Sequence, residues 1–111
     1  MIQIKKNEGD LFDAPGQFNS WTLKKLTPDI GSKKLKMSYS HFLPNGGCDM
    51  GPSPSERLYY VISGKLEVSS KNNNVYTLVP GEMLYIAPGE ERDMIINGGK
   101  PAEVLVTIVT P

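Results

Sequence analysis

The nine residues Glu56-Arg57-Leu58-Tyr59-Tyr60-Val61-Ile62-Ser63-Gly64 decide the fold. They combine aromatic and β-branched side chains, which suit a pleated strand, and they run into a glycine turn. Alternate positions place Arg57, Tyr59 and Val61 on one face and Leu58, Tyr60 and Ile62 on the other. Both faces are mainly apolar, so both are expected to be covered. One of them nevertheless starts with an arginine, which is costly to bury unless a carboxylate or another anion meets it. A charge at the head of an apolar face marks this strand as a place to look for chemistry.

Downstream of Gly64 the turn signals recur every eight or nine residues. Leu66 and Val68 continue into a strand, Lys71-Asn72-Asn73-Asn74 reads as a hairpin tip, and Val75 to Val79 returns. Pro80-Gly81 and Pro88-Gly89 bracket a strand over Met83 to Ile86. Arg92 to Ile96 follows, with Arg92, Met94 and Ile96 on one face, and Glu103 to Val109 forms the last strand. Upstream, Lys33 to Leu43 reads as a longer strand with Met37, Tyr39 and His41 on one face and Ser38, Ser40 and Phe42 on the other. The turn signal Pro44-Asn45-Gly46-Gly47 is expected to end it, leaving Cys48 to Ser55 irregular. Ser20 to Leu26 is a further strand, and Met1 to Lys6 an alternating edge strand. No amphipathic stretch of helical period appears. Regularly spaced short strands predict an all-β sandwich or barrel.

The chain has 111 residues, enough for one domain with one core. Twelve basic residues balance twelve acidic ones, which argues against a nucleic-acid partner, since that needs a net basic surface. No apolar run is long enough to span a membrane, and no leader pattern opens the sequence. The single cysteine, Cys48, excludes an internal disulfide, and a cytoplasmic location is the default expectation.

The second half of the sequence resembles a small single-domain cupin of the RmlC-like type. Gly47 and the run from Glu56 to Gly64 match the first cupin motif, and Gly81 to Gly89 keeps the glycine spacing of the second, with Tyr85-Ile86 before the turn. The resemblance implies an all-β double-stranded β-helix, or jelly-roll barrel. It implies one domain over residues 1–111, with N-terminal strands in 1–36 and the barrel core over about 38–109. Cupins usually hold a divalent metal with three histidines and a glutamate, and here those positions do not match. The glutamate position falls at Arg57, the second-motif histidine at Arg92, and the first-motif histidines at Gly51 and Ser53 or at Met50 and Pro52. A one-residue slip would put Asp93 in place of Arg92, but Arg92 shares its face with Met94 and Ile96. No metal and no other cofactor is therefore expected, although His41, Cys48 and Glu56 are the residues through which one could be retained.

The family geometry would turn Arg57 and Arg92 into the barrel mouth. Guanidinium forks bind carboxylate and phosphate in bidentate fashion. The expected function is metal-independent binding of a small anionic molecule, a carboxylate or a sugar derivative, with Arg57, Arg92, Ser53, Glu56 and Met50 as ligand-binding candidates. The bland alternative is an ion pair of the arginines with Asp49, Glu56, Glu90 or Glu91 that only holds the barrel together. A second functional reading is an isomerase, epimerase or lyase acting on a sugar acid, with His41, Tyr59 or Tyr85 moving a proton. A third is a metal-dependent dioxygenase or decarboxylase with a non-standard ligand set. The outer face of Leu58, Tyr60 and Ile62, together with Met1 to Lys6, suggests packing against a second subunit, so a homodimer is expected.

Overall fold

The structure, a computed structural model, describes residues 1–110. Nine strands account for the architecture: β1 (Asp10–Phe12), β2 (Gln17–Leu26), β3 (Leu35–Pro52), β4 (Glu56–Ser63), β5 (Leu66–Ser70), β6 (Val75–Leu78), β7 (Met83–Ile86), β8 (Glu91–Ile95) and β9 (Ala102–Val109). One 3-10 turn, Pro28–Ile30, lies between β2 and β3. No described helix is long and apolar enough to cross a membrane. The fold is the all-β, nearly closed jelly-roll barrel that the strand spacing predicted.

All pairings are antiparallel, and the path runs β6-β5-β8-β3-β9-β4-β7, with β1 and β2 added along β3. The 18-residue β3 joins the two sheets. Its first half, Leu35 to Phe42, pairs with β9, and its second half, Gly47 to Pro52, pairs with β8. The segment Pro44–Gly47, expected to end the strand, bends it instead. Asn45 takes a left-handed φ of 65°, and Asn19 on the neighbouring β2 takes 49°, where the β2–β3 register shifts. Asparagine tolerates that region better than most residues. Turn chemistry here serves a sheet corner, since a strand that switches sheets needs a local kink. Gly47 cannot be replaced without collision, because a Cβ there would run into the Met94 carbonyl of β8.

The barrel interior is filled from both sheets. Phe42, Val61, Leu66, Val68, Ile96, Ala102 and Val104 are each at most 1% exposed. Burying each large aliphatic or aromatic side chain contributes about 1.5–3 kcal/mol. Gly64 follows β4 at φ 79°, with the Pro101 carbonyl 2.5 Å from where a Cβ would stand, so the turn into β5 can pass against the start of β9 only with glycine there. The expected edge strand over Met1 to Lys6 does not form. These residues are mostly exposed, and the Lys25 ammonium instead gathers the carbonyls of Lys5, Lys6 and Glu8 at 2.9, 2.7 and 2.6 Å.

Candidate functional site

β4 and β8 carry the two arginines to the same end of the barrel interior. On β4, inward parity is fixed by Tyr59 and Val61, which are 3% and 0% exposed, so Arg57 points inward as well. On β8, Arg92 and Met94 are buried while Asp93 faces the other way and accepts a hydrogen bond from the Ser69 backbone N–H. The register with Arg92 inside is the one adopted.

The two guanidiniums are held differently. Arg92 Nε donates to the Tyr59 hydroxyl at 3.2 Å, and its Nη1 donates to the Gly51 carbonyl at 2.7 Å. Arg57 Nη2 donates to Ser53 Oγ at 2.7 Å, while its buried Nε has no partner. Among the described residues the one ion pair is Lys71–Glu91, on the surface at 2.8 Å. None of Asp49, Glu56, Glu90 and Glu91 therefore pairs with either arginine, and the structural ion pair considered from the sequence is not formed. Cys48 lies nearby on β3. Burial pushes its thiol pKa up, and the positive charges of Arg92 and Arg57 pull it partly back.

Each arginine opens onto its own cavity. Arg57 lines one of about 500 Å³, between β9, the first half of β3, β2 and the overhanging β1. Its floor contains Val106, Thr22 and Ser40, which are 7%, 2% and 0% exposed. Arg92 lines a smaller one of about 200 Å³, with Leu84, Ile86 and Tyr76 beside it. The β1 roof and the Thr22–Ser40 floor were not anticipated. The sequence signal for them is Ser38 and Ser40, which share a face with the buried Phe42.

The remaining candidates divide between the two faces. Ser53, 5% exposed, and Tyr59 join the arginines inside. Met50 does not: it sits on an irregular stretch of β3 and is 45% exposed. His41 lies on the outer face, stacked on Trp21 with ring centroids 5.1 Å apart, so it does not reach the interior. Tyr85, expected inside, is 58% exposed on the outer face, because Leu84 and Ile86 take the inward positions of β7. Its hydroxyl donates to Glu56 at 2.7 Å, which places Glu56 outside too. That bond and the Glu56 charge, with some burial, raise the Tyr85 pKa. Of the three proton-transfer candidates, only Tyr59 stands in the barrel. Outer neighbours also include Tyr39 and Ser63, both donating to Glu103.

A divalent metal does not suit this interior. Among the described residues no three His, Cys, Asp or Glu side chains come together. The positions that match cupin ligands hold Gly51, Ser53, Arg57 and Arg92, and Arg57 and Arg92 present cationic donors that would repel a metal ion.

A nearly closed antiparallel β-barrel with cavities lined by Arg57 and Arg92 defines the class: a jelly-roll protein. The chain belongs to the cupin domain family, whose family model matches residues 39–108. Solved structures agree on the fold. The polyketide cyclase RemF from Streptomyces resistomycificus superposes with a TM-score of 0.86 at 19% identity, covering 98% of this chain and 79% of that one. A predicted oxalate decarboxylase from Thermotoga maritima gives 0.82 at 12% identity, covering 99% and 100%. KdgF from Halomonas sp. gives 0.78 at 14%, covering 97% and 94%. No curated protein sequence matches the chain. Neighbours of such varied description, at such low identity, fix the architecture and leave the chemistry to the residues.

Proposed function

We propose that this cupin binds a small organic anion in its barrel without a metal. The observation that carries the reading is Arg57: a guanidinium on the lining of a cavity of about 500 Å³, bonded to Ser53 and with no carboxylate paired to it. The buried Nε is closed to the cavity, but a partly buried guanidinium without a counter-ion is unfavourable, and a carboxylate or phosphate on its cavity side would offset that. Arg92 backs this arrangement by holding Tyr59 and the Gly51 carbonyl. A panel of carboxylates and sugar phosphates, titrated by isothermal calorimetry, tests it. Binding by any of them that is lost in Arg57→Ala supports the reading, and no binding across the panel overturns it.

One observation favours a catalytic extension. Tyr59 Oη accepts from Arg92 Nε, so that bond does not use its hydroxyl proton. Tyr59 lines neither cavity, and a substrate on Arg57 would have to reach past the lining to take that proton. In an isomerase, epimerase or lyase reading, Tyr59 replaces His41 and Tyr85 as the proton donor. Arg92 positions it, and Arg57 holds the substrate. Turnover by the native chain that Tyr59→Phe abolishes, with ligand binding retained, is the expected signature.

We further propose a homodimer through the outer face of β4 and β7. Tyr60, Ile62 and Met83 are 38%, 40% and 59% exposed there, an apolar patch that a second copy would cover. Light scattering should give a dimer for the native chain and a monomer for Ile62→Lys/Met83→Lys. A native monomer ends this proposal.

A further inference from the structure

The buried floor of the larger cavity carries the hydroxyls of Thr22 and Ser40, yet offers a ligand few free hydrogen-bonding groups. Thr22 Oγ1 donates to Gln17 Oε1 at 3.0 Å, so its 2.9 Å contact with Ser40 Oγ must be donated by Ser40. Ser20 Oγ also donates to Gln17 Oε1, at 3.3 Å. The two hydroxyl protons of the floor, on Thr22 and Ser40, are thereby engaged, and Ser20 lies outside this lining. Two further lining hydroxyls, Ser38 and Thr27, lack partners in the chain, but both are partly open to solvent, where water satisfies them. The charged lining residues Asp10, Lys24, Asp29 and Lys36 are all exposed to solvent, and the less exposed lining includes the apolar Val106 and Ile108 from β9, Leu26 from β2 and Phe12 from the β1 overhang. The Lys24 ammonium is kept 4.0 Å over the Phe12 ring, where it helps seat that ring.

A polyol seated against the floor and the apolar lining would lose water from many hydroxyls and find few partners there, and each stranded group is unfavourable. A ligand with one anionic end and an apolar remainder meets no such penalty. Resting on the anion-binding reading above, we propose that the cavity takes a monocarboxylate with an apolar body. Its carboxylate lies on Arg57 and its body against Phe12, Leu26, Val106 and Ile108. The volume of about 500 Å³ falls within the range of small-molecule sites. The ligand class is thus decided by groups that are already engaged with one another, and sugar acids are disfavoured.

Calorimetric titration of the full chain with hexanoate, 1-hexanol and gluconate tests the class. Hexanoate should bind at least tenfold more tightly than either of the other two. Arg57→Met should erase its advantage over 1-hexanol, and Phe12→Ala, a change in the overhang that leaves the core intact, should weaken hexanoate severalfold. Gluconate binding as well as hexanoate, in an Arg57-dependent way, would overturn the apolar-body proposal while the anion reading stands. Equal binding of 1-hexanol and hexanoate would overturn both, as would binding of none of the three. The hexanoate-to-hexanol ratio is measured on the native chain, so a variant that fails to fold does not remove the test.

Discussion

The inner and outer faces of the barrel treat their polar groups in opposite ways. Outside, polar side chains pair with one another: Tyr39 and Ser63 with Glu103, Tyr85 with Glu56, and His41 with the Trp21 ring. Inside, two guanidiniums sit among apolar neighbours without a carboxylate between them. Outer groups have solvent as a fallback, so their bonds bring small gains. Inner groups have none, and an unmet donor there signals either a bound guest or a cost borne for function. The difference also separates the arginines from each other, since Arg92 is tied at two nitrogens and Arg57 at one.

Arg92→Ala should produce the largest effect. It strands the Gly51 carbonyl and opens space beside Met94, and a loss of about 2–4 kcal/mol is expected from denaturant unfolding. A neutral result would mean that the two inner arginines are equivalent, against the contrast drawn above. Arg57→Met should change stability by no more than about 1 kcal/mol, since it removes a stranded donor along with one good bond to Ser53, while it abolishes anion binding. A large stability loss without loss of binding would reverse the assignment.

The outer face should respond to pH in two limbs. Hydrogen bonds from Tyr39 and Ser63 hold the Glu103 carboxyl below its usual value of 4.5. Its contribution is present above that value and disappears as pH falls through the lower folded one. Burial, with the hydrogen bond and charge of Glu103, pushes the Tyr39 pKa up to about 12 from 10.0. That contribution is complete below 10.0 and fades as pH rises toward about 12. The pair is partly solvated, so the whole effect should stay below about 1 kcal/mol. Glu103→Gln should flatten both limbs in melts across pH. A residual limb of unchanged size would assign the titration to other groups. His41→Gln should have the smallest effect, about 0.5 kcal/mol from the lost ring stacking, with no change in anion binding. Altered binding would bring the outer face into the site.

Much of the fold was legible because strand spacing and turn residues speak locally. The strands over Glu56–Ser63, Met83–Ile86 and around Arg92 appear close to where the pattern put them. The corner at Asn45 was misread because the residues that end a strand also bend one, and only pairing with both β8 and β9 distinguishes the two. At the site, parity along β4 and β8 was enough to turn Arg57 and Arg92 inward. Parity on β3 separates its two faces without saying which is inner: the aromatic face with His41 stands outside, and the small Ser38–Ser40 face lines the cavity. Tyr85 was misplaced because its position in a motif was followed in preference to its alternation with Leu84 and Ile86. Contacts between distant segments, such as Thr22 with Ser40, leave no mark that can be read along one strand.

The position of β9 has a kinetic consequence. It lies between β3 and β4, and its pairs with β3 join residues sixty to seventy-four positions apart, from Phe42–Ala102 to Leu35–Val109. Until that distant segment inserts, each neighbour keeps a bare edge, and early hairpins such as β5–β6 cannot bring the rest into place. Assembly should therefore be slow, on the millisecond-to-second scale of chains dominated by remote pairings. Partly assembled molecules would carry the open edges through which chains stick to one another.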